Sequence, residues 1–241
     1  MRSPGTARAR RSPRERARSA ILVVLRGVGR AALAVAAAIV LLVLGYRWID
    51  PPTTPYILSE GRRLGQVERT WVDLEEVAPV LARAIVAAED ANFCRHWGID
   101  VAAVRAVIEA GEARGASTIT QQVVKNVLLW QGRSWLRKAL EAGLVPLVEV
   151  LWPKRRILEV YMNVAETGEG VFGVAAAARR SFGVTAAELS PERAARLAVV
   201  LPSPKRRDPA SLSPRLRRQA ERVLAGAATI RADGRSGCFE G

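Results

Sequence analysis

An unbroken apolar run, Ala31–Leu44, constrains the fold of this chain more than any other stretch of its sequence. The run is shorter than the ~20 apolar residues that span a bilayer. Arg30 and Arg47 flank it, however, and long arginine side chains can reach the two interfaces from such positions. Aromatic residues also follow the run, as they do at the ends of membrane-spanning helices. The sequence therefore predicts a transmembrane anchor over residues 29–48.

Two other interpretations of this run stay open. Ala34-Val35-Ala36 resembles the cleavage site of a secretory signal peptide, although the apolar run continues for eight residues beyond it, which suits an anchor better. The run is also compatible with a buried core helix. These alternatives differ in whether the apolar side chains meet lipid or protein.

The distribution of charge predicts the orientation of the anchor. The chain carries a net charge of +14, and residues 1–30, with nine arginines and one glutamate, hold +8 of it. An arginine excess before a transmembrane helix keeps that end in the cytoplasm. We therefore expect a basic cytoplasmic N-terminus over 1–28, and a domain over 49–241 that faces the periplasm or the cell exterior. The sequence has no zinc-ligand spacing, no basic zipper and few aromatic residues, so nucleic-acid binding is not expected.

The proline-rich stretch 50–55 predicts a stiff, extended linker, so the folded domain is expected to begin near residue 56. Cys94 and Cys238 are the two cysteines of the chain, and both lie on the exported side. They either form a disulfide or stay as free, buried thiols. With one histidine and two distant cysteines, a metal site is not expected.

No segment of the domain alternates with period two, so the sequence predicts a mainly α fold. A helix is expected from about Pro79 to Asp90, with Leu81 and Ile85 on its core stripe. Glu89 lies four residues beyond Ile85 on that same stripe. A carboxylate against an apolar face has a raised pKa, which suits a general base. The alternative is a helix-terminal acid that faces water.

A second polar segment begins at Gly115. Thr118 and Gln121 have the spacing of a capping box, so a helix is expected to begin here. The helix would have one polar face and, on its other side, a stripe of core residues. The polar face consists of Thr118, Gln122, Lys125 and Asn126, and the core stripe of Ile119, Val123 and Val127. A helix N-terminus with hydroxyls, amides and a lysine suits phosphate binding, and the alternative is a solvated face.

A third helix is expected after Gly132, with a core stripe made of leucines. These leucines are Leu136, Leu140, Leu144, Leu147 and Leu151. Glu141 on this helix follows Arg137 by four residues and Lys138 by three. Such a group is either part of a binding site or a surface ion pair worth about 0.3–0.5 kcal/mol.

Four segments in this order resemble the peptidoglycan glycosyltransferases of glycosyltransferase family 51. The matching motifs are Glu89-Asp90-x-x-Phe93-x-x-His96-x-Gly98-x-Asp100, Gly115-Ala116-Ser117-Thr118-Ile119-Thr120-Gln121-Gln122 with Lys125-Asn126, Arg137-Lys138-x-x-Glu141, and Lys154-x-x-Ile157-Leu158-Glu159-x-Tyr161-Met162-Asn163. The resemblance covers about residues 50–230, and Ala116 departs from the usual second glycine. No transpeptidase domain is seen, which favours a monofunctional member.

The resemblance implies a lysozyme-like, two-lobed helical domain that polymerises lipid II and releases undecaprenyl pyrophosphate. Glu89 would deprotonate the 4-hydroxyl of the acceptor sugar, which then attacks C1 of the donor with inversion. Glu141 matches the second essential glutamate, and two roles are open for it: positioning the donor, or holding a divalent cation (Mg²⁺ or Mn²⁺). No organic cofactor is implied. The expected partners are lipid II, the growing glycan strand, the membrane, and cell-wall synthesis or division proteins.

The other motif residues receive binding roles from the same resemblance. Lys125, Arg137 and Lys138 would meet the charge of the pyrophosphate. Sugar and diphosphate would be oriented by Ser117, Thr118, Gln122 and Asn126, while Asp90, Phe93 and His96 would shape the site around Glu89. Two rival functions are a lytic transglycosylase or hydrolase acting on finished glycan, and a non-catalytic anchored binding module.

Overall fold

Helices make up most of the computed structural model, which describes residues 13–111, 117–132 and 134–240. The chain separates into two compact units, Met1–Gly45 and Tyr46–Gly241. The described part of the first unit is one helix, α1, over Pro13–Gly45. Within it, Leu22–Gly45 is long and apolar enough to cross a membrane by length and composition. Its large apolar side chains are mostly exposed, which is typical of a helix that meets lipid rather than of a core helix.

The second unit contains ten further helices in its described part. They are α2 (Pro55–Leu64), α3 (Pro79–Glu89), α4 (Val101–Glu109), α5 (Ile119–Leu128), α6 (Trp135–Leu151), α7 (Lys154–Val164), α8 (Val174–Phe182), α9 (Pro191–Val200), α10 (Pro214–Ala232) and α11 (Gly237–Glu240). The helices α3, α9 and α10 pack together as one group, and α5 packs between α6 and α7 as another. The predicted mainly α class is confirmed.

Helix starts agree with the local signals in the sequence. Pro79 opens α3, as expected of a proline in a first turn. The capping box at α5 is formed, since the Thr118 hydroxyl accepts a bond from the Gln121 N–H and the Gln121 side chain accepts one from the Thr118 N–H. Ser190 and Ser213 cap α9 and α10 with their hydroxyls, which accept bonds from the backbone N–H groups of Arg193 and Leu216.

A small three-stranded sheet joins the helices, and the sequence did not predict it. Its strands are β1 (Glu68–Arg69), β2 (Glu166–Gly168) and β3 (Val171–Phe172), in the order β1-β3-β2. The β1–β3 pair is parallel and the β2–β3 pair is antiparallel. Strands of two or three residues are too short for an alternating pattern to be recognised.

The predicted leucine stripe of α6 is wrong. The buried residues of this helix are Glu141, Val145 and Val148, whereas Leu136 is 66% exposed and Leu140 is 41% exposed. The observed stripe is offset by one residue from the leucines, and one residue turns the helix by about 100°. A second apolar face of α6 therefore points away from the core.

The proline-rich stretch 50–55, predicted as a stiff, extended linker, is hydrogen-bonded to the domain. Arg69 donates hydrogen bonds of 2.6 Å to the carbonyl oxygens of two of its prolines. Arg156 contacts the carboxylate of Asp50 at 2.8 Å. The compact unit begins at Tyr46. An extended stretch leaves its carbonyls without partners, and arginines from elsewhere in the domain satisfy them here.

Candidate active site

Glu89 is the last residue of α3, and its two carboxylate oxygens have different surroundings. Oε2 accepts a hydrogen bond of 2.7 Å from Nε2 of Gln122 on α5. Oε1 is buried and has no hydrogen-bond partner among the described residues. A buried acceptor without a partner is costly, so such an atom is expected where a ligand later supplies the donor.

The environment of Glu89 raises the pKa of its carboxyl group. Burial is the largest cause, and the neighbouring charge of Asp90 acts in the same direction. The hydrogen bond from Gln122 and the positive charges of Lys125 and Arg207 oppose the rise without cancelling it. A carboxylate with a raised pKa is a stronger base, which is what proton abstraction near neutral pH requires.

Asp90 is the next residue, but both of its oxygens are bonded. Oδ1 lies 2.8 Å from Nε2 of His96, and Oδ2 accepts a bond of 3.0 Å from the backbone N–H of Ile119. Its side chain is 2% exposed. Asp90 thus joins the end of α3 to the first turn of α5. This contact places Glu89 beside Gln122.

The turn after Asp90 is held by close packing. Gly98 has φ +75°, and a Cβ there would lie 2.3 Å from Cγ1 of Val145, so only glycine fits. Phe93 is fully buried, its ring centroid lies 6.4 Å from that of Phe239, and the Lys154 ammonium lies 4.5 Å from the ring.

The two cysteines are joined in a disulfide, which decides between the two alternatives left by the sequence. Cys94 lies in the turn after Asp90, and Cys238 lies in α11. The bond therefore ties the C-terminal helix to the turn that follows Glu89.

Asp90, His96 and Asp100 form a cluster whose potential ligand atoms lie within 4.8 Å of one another. The sequence did not predict this cluster as a set of ligands. Each carboxylate oxygen in it already has a partner within the protein. Asp100 accepts bonds from the Ala103 N–H at 2.9 Å and from the Asn92 amide at 3.0 Å. Hydrogen bonding within the turn accounts for the cluster.

Thr118 and Ser117 have different positions in the second motif. The Thr118 hydroxyl donates to the carbonyl of Gly98 at 2.5 Å and accepts from the Gln121 N–H at 3.2 Å, and the residue is buried. Thr118 therefore fastens α5 to the turn after Glu89. Ser117 is exposed. Gly115 and Ala116, which belong to the same motif, lie outside the described residues.

Gln122, Lys125 and Asn126 line a cavity of about 400 Å³ together with Tyr161 and the loop 202–206. The Lys125 ammonium has no hydrogen-bond or ion-pair partner within the described parts of the chain, and burial lowers its pKa. A half-buried cation without a partner suits an anionic ligand. A larger cavity of about 600 Å³ lies between α3 and α11 and is lined by neither glutamate of the site.

Glu141 is 3% exposed and is paired with two cations. Arg137 donates to Oε2 at 2.5 Å, and the Lys138 ammonium contacts Oε1. Arg137 also donates to the carbonyl of Gly132 at 2.9 Å, which fixes the guanidinium. The carboxylate of Glu141 is the main charge that favours the protonated form of Lys125. The three cations therefore lie around one buried carboxylate.

The structure adds functional candidates that the sequence analysis did not identify. Lys205 and Arg206 line the same cavity, and the charge of Arg207 acts on Glu89. Three consecutive basic residues next to a proline were the signal that could have identified it.

Comparison with known proteins gives consistent matches. A family model described as Transglycosylase matches residues 58–228. A biosynthetic peptidoglycan transglycosylase of Jannaschia sp. (strain CCS1) is 51% identical over 234 residues, which are 96% of this chain and 98% of that protein. A protein of the same name from Rhodospirillum centenum (strain ATCC 51521 / SW) is 44% identical over 90% of this chain and 96% of its own length. Another, from Xanthomonas campestris pv. campestris (strain B100), is 49% identical over 82% of this chain and 83% of its own length.

Proposed function

The chain belongs to the transglycosylase family, and from that premise we propose that it polymerises lipid II into β-1,4-linked glycan strands and releases undecaprenyl pyrophosphate. One observation carries the proposal. A buried oxygen of Glu89 and the ammonium of Lys125 both lack partners among the described residues, and Gln122 lies beside both. The charges of Glu89 and Lys125 act on each other, and a transfer reaction needs a base and an anion site within one site.

Glu89 supplies the base. Its Oε1 takes the proton of the 4-hydroxyl of the acceptor sugar while that oxygen attacks C1 of the donor. The new C1–O bond forms as the bond from C1 to the pyrophosphate oxygen breaks, and the electron pair leaves with the lipid pyrophosphate. Attack opposite to the leaving group inverts the configuration at C1 and gives the β linkage.

The cations supply the second half of the chemistry. Negative charge develops on the leaving pyrophosphate, and groups that are already in position stabilise it without reorganisation. Lys125 lines the same cavity as Gln122, and Glu141 holds Arg137 and Lys138, whose charges act on Lys125. Gln122 and Asn126 line the same cavity and can orient the sugar and the diphosphate.

A divalent cation, Mg²⁺ or Mn²⁺, stays a prediction of the family resemblance. Glu141 does not fit as its ligand in this arrangement, because Arg137 and Lys138 already occupy its two oxygens. We therefore assign Glu141 the role of positioning these two cations. No step above depends on a metal or on an organic cofactor.

The proposed location is the cell inner membrane, with α1 as a single-pass anchor, the N-terminus in the cytoplasm and the catalytic domain in the periplasm. The apolar helix and the arginine excess before it support this orientation. A lipid-linked substrate in the same membrane would reach the site by lateral diffusion. Cell-wall synthesis or division proteins are the proposed protein partners, and nucleic acid is not one.

A lytic transglycosylase or hydrolase acting on finished glycan is not favoured. The curated relatives are named as biosynthetic enzymes. In addition, a sugar hydroxyl that leaves a finished glycan is neutral after protonation, so a cluster of cations would not stabilise it.

Incubation of the detergent-solubilised full chain with labelled lipid II tests the proposal. We expect glycan polymer, and we expect Glu89→Gln to reduce the rate by about 10²–10⁴-fold while lipid II binding persists. Glu76→Gln is the matched control, since Glu76 is an exposed carboxylate outside the site. Shortening of preformed glycan with lipid II untouched, or normal turnover by Glu89→Gln, would overturn the proposal.

A further inference from the structure

Tyr161 of α7 is 1% exposed, and its hydroxyl lies at the end of a chain of polar atoms that leads to Glu89. The Tyr161 O–H donates to Oε1 of Gln122 at 3.4 Å, and Nε2 of Gln122 donates to Oε2 of Glu89 at 2.7 Å. We propose that Tyr161 is a positioning residue, which turns the amide of Gln122 so that its N–H end faces the carboxylate of Glu89. The inference rests on the proposed function of Glu89 as the base.

The amide of Gln122 needs such a determinant because its two ends have similar shape and opposite hydrogen-bonding character. One end is a carbonyl oxygen, which only accepts, and the other is an NH₂ group, which only donates. Rotation by 180° would bring the carbonyl oxygen against the ionised carboxylate of Glu89, and two acceptors repel each other. In the productive orientation both ends of the amide are paired, because the Tyr161 hydroxyl donates to the carbonyl end and the NH₂ end donates to Glu89.

Tyr161 is suited to be this donor over the whole working pH range. Burial raises the pKa of its hydroxyl, and the charges of Glu89 and Asp90 raise it further. The phenol therefore keeps its proton when Glu89 is ionised. Tyr161 is buried in α7, which packs against α5, so the donor is held in place relative to the amide.

The orientation of the Gln122 amide affects Glu89 in two ways. The bond from Gln122 stabilises the ionised form of Glu89 and so limits the rise in pKa that burial causes. The same bond occupies Oε2, which leaves Oε1 as the oxygen that takes the proton. Tyr161 thus acts on the strength of the base and on the choice of its reactive oxygen without touching the substrate.

Phenylalanine at this position has no hydroxyl and cannot donate to the Gln122 amide. This difference makes Tyr161→Phe an informative substitution, since it removes one oxygen and keeps the packed ring.

The test uses the full chain in detergent with lipid II, and measures kcat, KM and the pH dependence of kcat/KM. For Tyr161→Phe we expect kcat to fall about tenfold, with little change in KM. A tenfold loss corresponds to the net free-energy contribution of one hydrogen bond. The acidic limb of kcat/KM should move to higher pH, because ionised Glu89 has lost an oriented donor. Gln122→Met should move the limb in the same direction, and the double variant should move it no further.

Tyr56→Phe is the matched control. Tyr56 also loses a half-buried hydroxyl bond, but its partner is Glu166 rather than Gln122, so the acidic limb should stay in place. If Tyr161→Phe fails to fold, Gln122→Met still tests the bond to Glu89 through which Tyr161 is proposed to act. An unmoved limb in Tyr161→Phe or Gln122→Met, with Glu89→Gln inactive, overturns this inference alone. Normal turnover by Glu89→Gln overturns the proposed function instead.

Discussion

Two glutamates of the site are removed from solvent in opposite ways. Glu89, at the end of α3, meets one neutral amide and keeps one oxygen without a partner among the described residues. Glu141, in α6, has a cation on each oxygen. Burial alone therefore does not decide what a carboxylate does. The partners decide it, and of the two glutamates only Glu89 keeps an oxygen without a partner among the described residues.

The two glutamates are also expected to differ in their contributions to folding stability and to activity. Removing one partner of a buried ion pair destabilises the folded state, because the other charge is left buried and unpaired. A buried carboxylate with a raised pKa already costs folding free energy at neutral pH, and its value to the protein lies in the reaction. Substitutions at the two glutamates are therefore expected to have opposite effects on stability.

The largest effect on stability is expected from the disulfide, which supports the turn next to Glu89 and has no counterpart at Glu141. Cys94 and Cys238 are 144 residues apart, and closing a loop of that length stabilises by about 4–5 kcal/mol in the chain-entropy treatment. Replacement of both cysteines by serine should lower the urea midpoint of the full chain in detergent accordingly. An unchanged midpoint would show that the turn next to Glu89 is held by packing alone.

The next largest effect on stability is expected from substitutions of the two glutamates. Glu141→Gln should cost about 3 kcal/mol of unfolding free energy, since Arg137 and Lys138 lose a buried countercharge. Glu89→Gln should leave stability at pH 7 equal or higher. The raised pKa of Glu89 means that native stability is lost as pH rises through its titration, and glutamine does not titrate.

Denaturant unfolding of both variants beside the wild type measures this difference. Equal losses of stability from the two substitutions would contradict the distinction drawn between the two carboxylates.

A smaller effect is expected at Lys125, the cation between the two glutamates. Hydrogen bonds to charged groups contribute about 1.5–3 kcal/mol, so Lys125→Gln should lower kcat/KM for lipid II by about 10- to 100-fold. Arg62→Gln removes one positive charge at an exposed position and serves as the control. If both variants lose the same amount, Lys125 acts only through the net charge of the domain.

Helix starts and the polar face of α5 could be predicted from the sequence because their signals are local. The capping box of Thr118 and Gln121 spans four residues, and the positions of Gln122, Lys125 and Asn126 follow from the helical repeat. The order and spacing of the motifs then pointed to the family, and through it to Glu89.

The contacts that give these residues their environment could not be predicted in the same way. Gln122 reaches Glu89 across 33 positions and Tyr161 across 39, and no local pattern records such pairs. The buried face of α6 was assigned to the wrong residues for a related reason. The sequence displays two apolar faces on this helix, and only the packing of α5 against it shows which one is buried.

The pH dependence of kcat/KM tests the central claim most directly, because it reports the ionisation of the base in the free enzyme. The ionised form of Glu89 is required and its pKa is raised, so the rate should fall toward acid with a midpoint above the ordinary glutamate value of about 4.3. Glu141→Gln should keep that midpoint, and the residual rate of Glu89→Gln should not fall over the same range. A midpoint at or below the ordinary value, or a limb that persists in Glu89→Gln, would contradict the account.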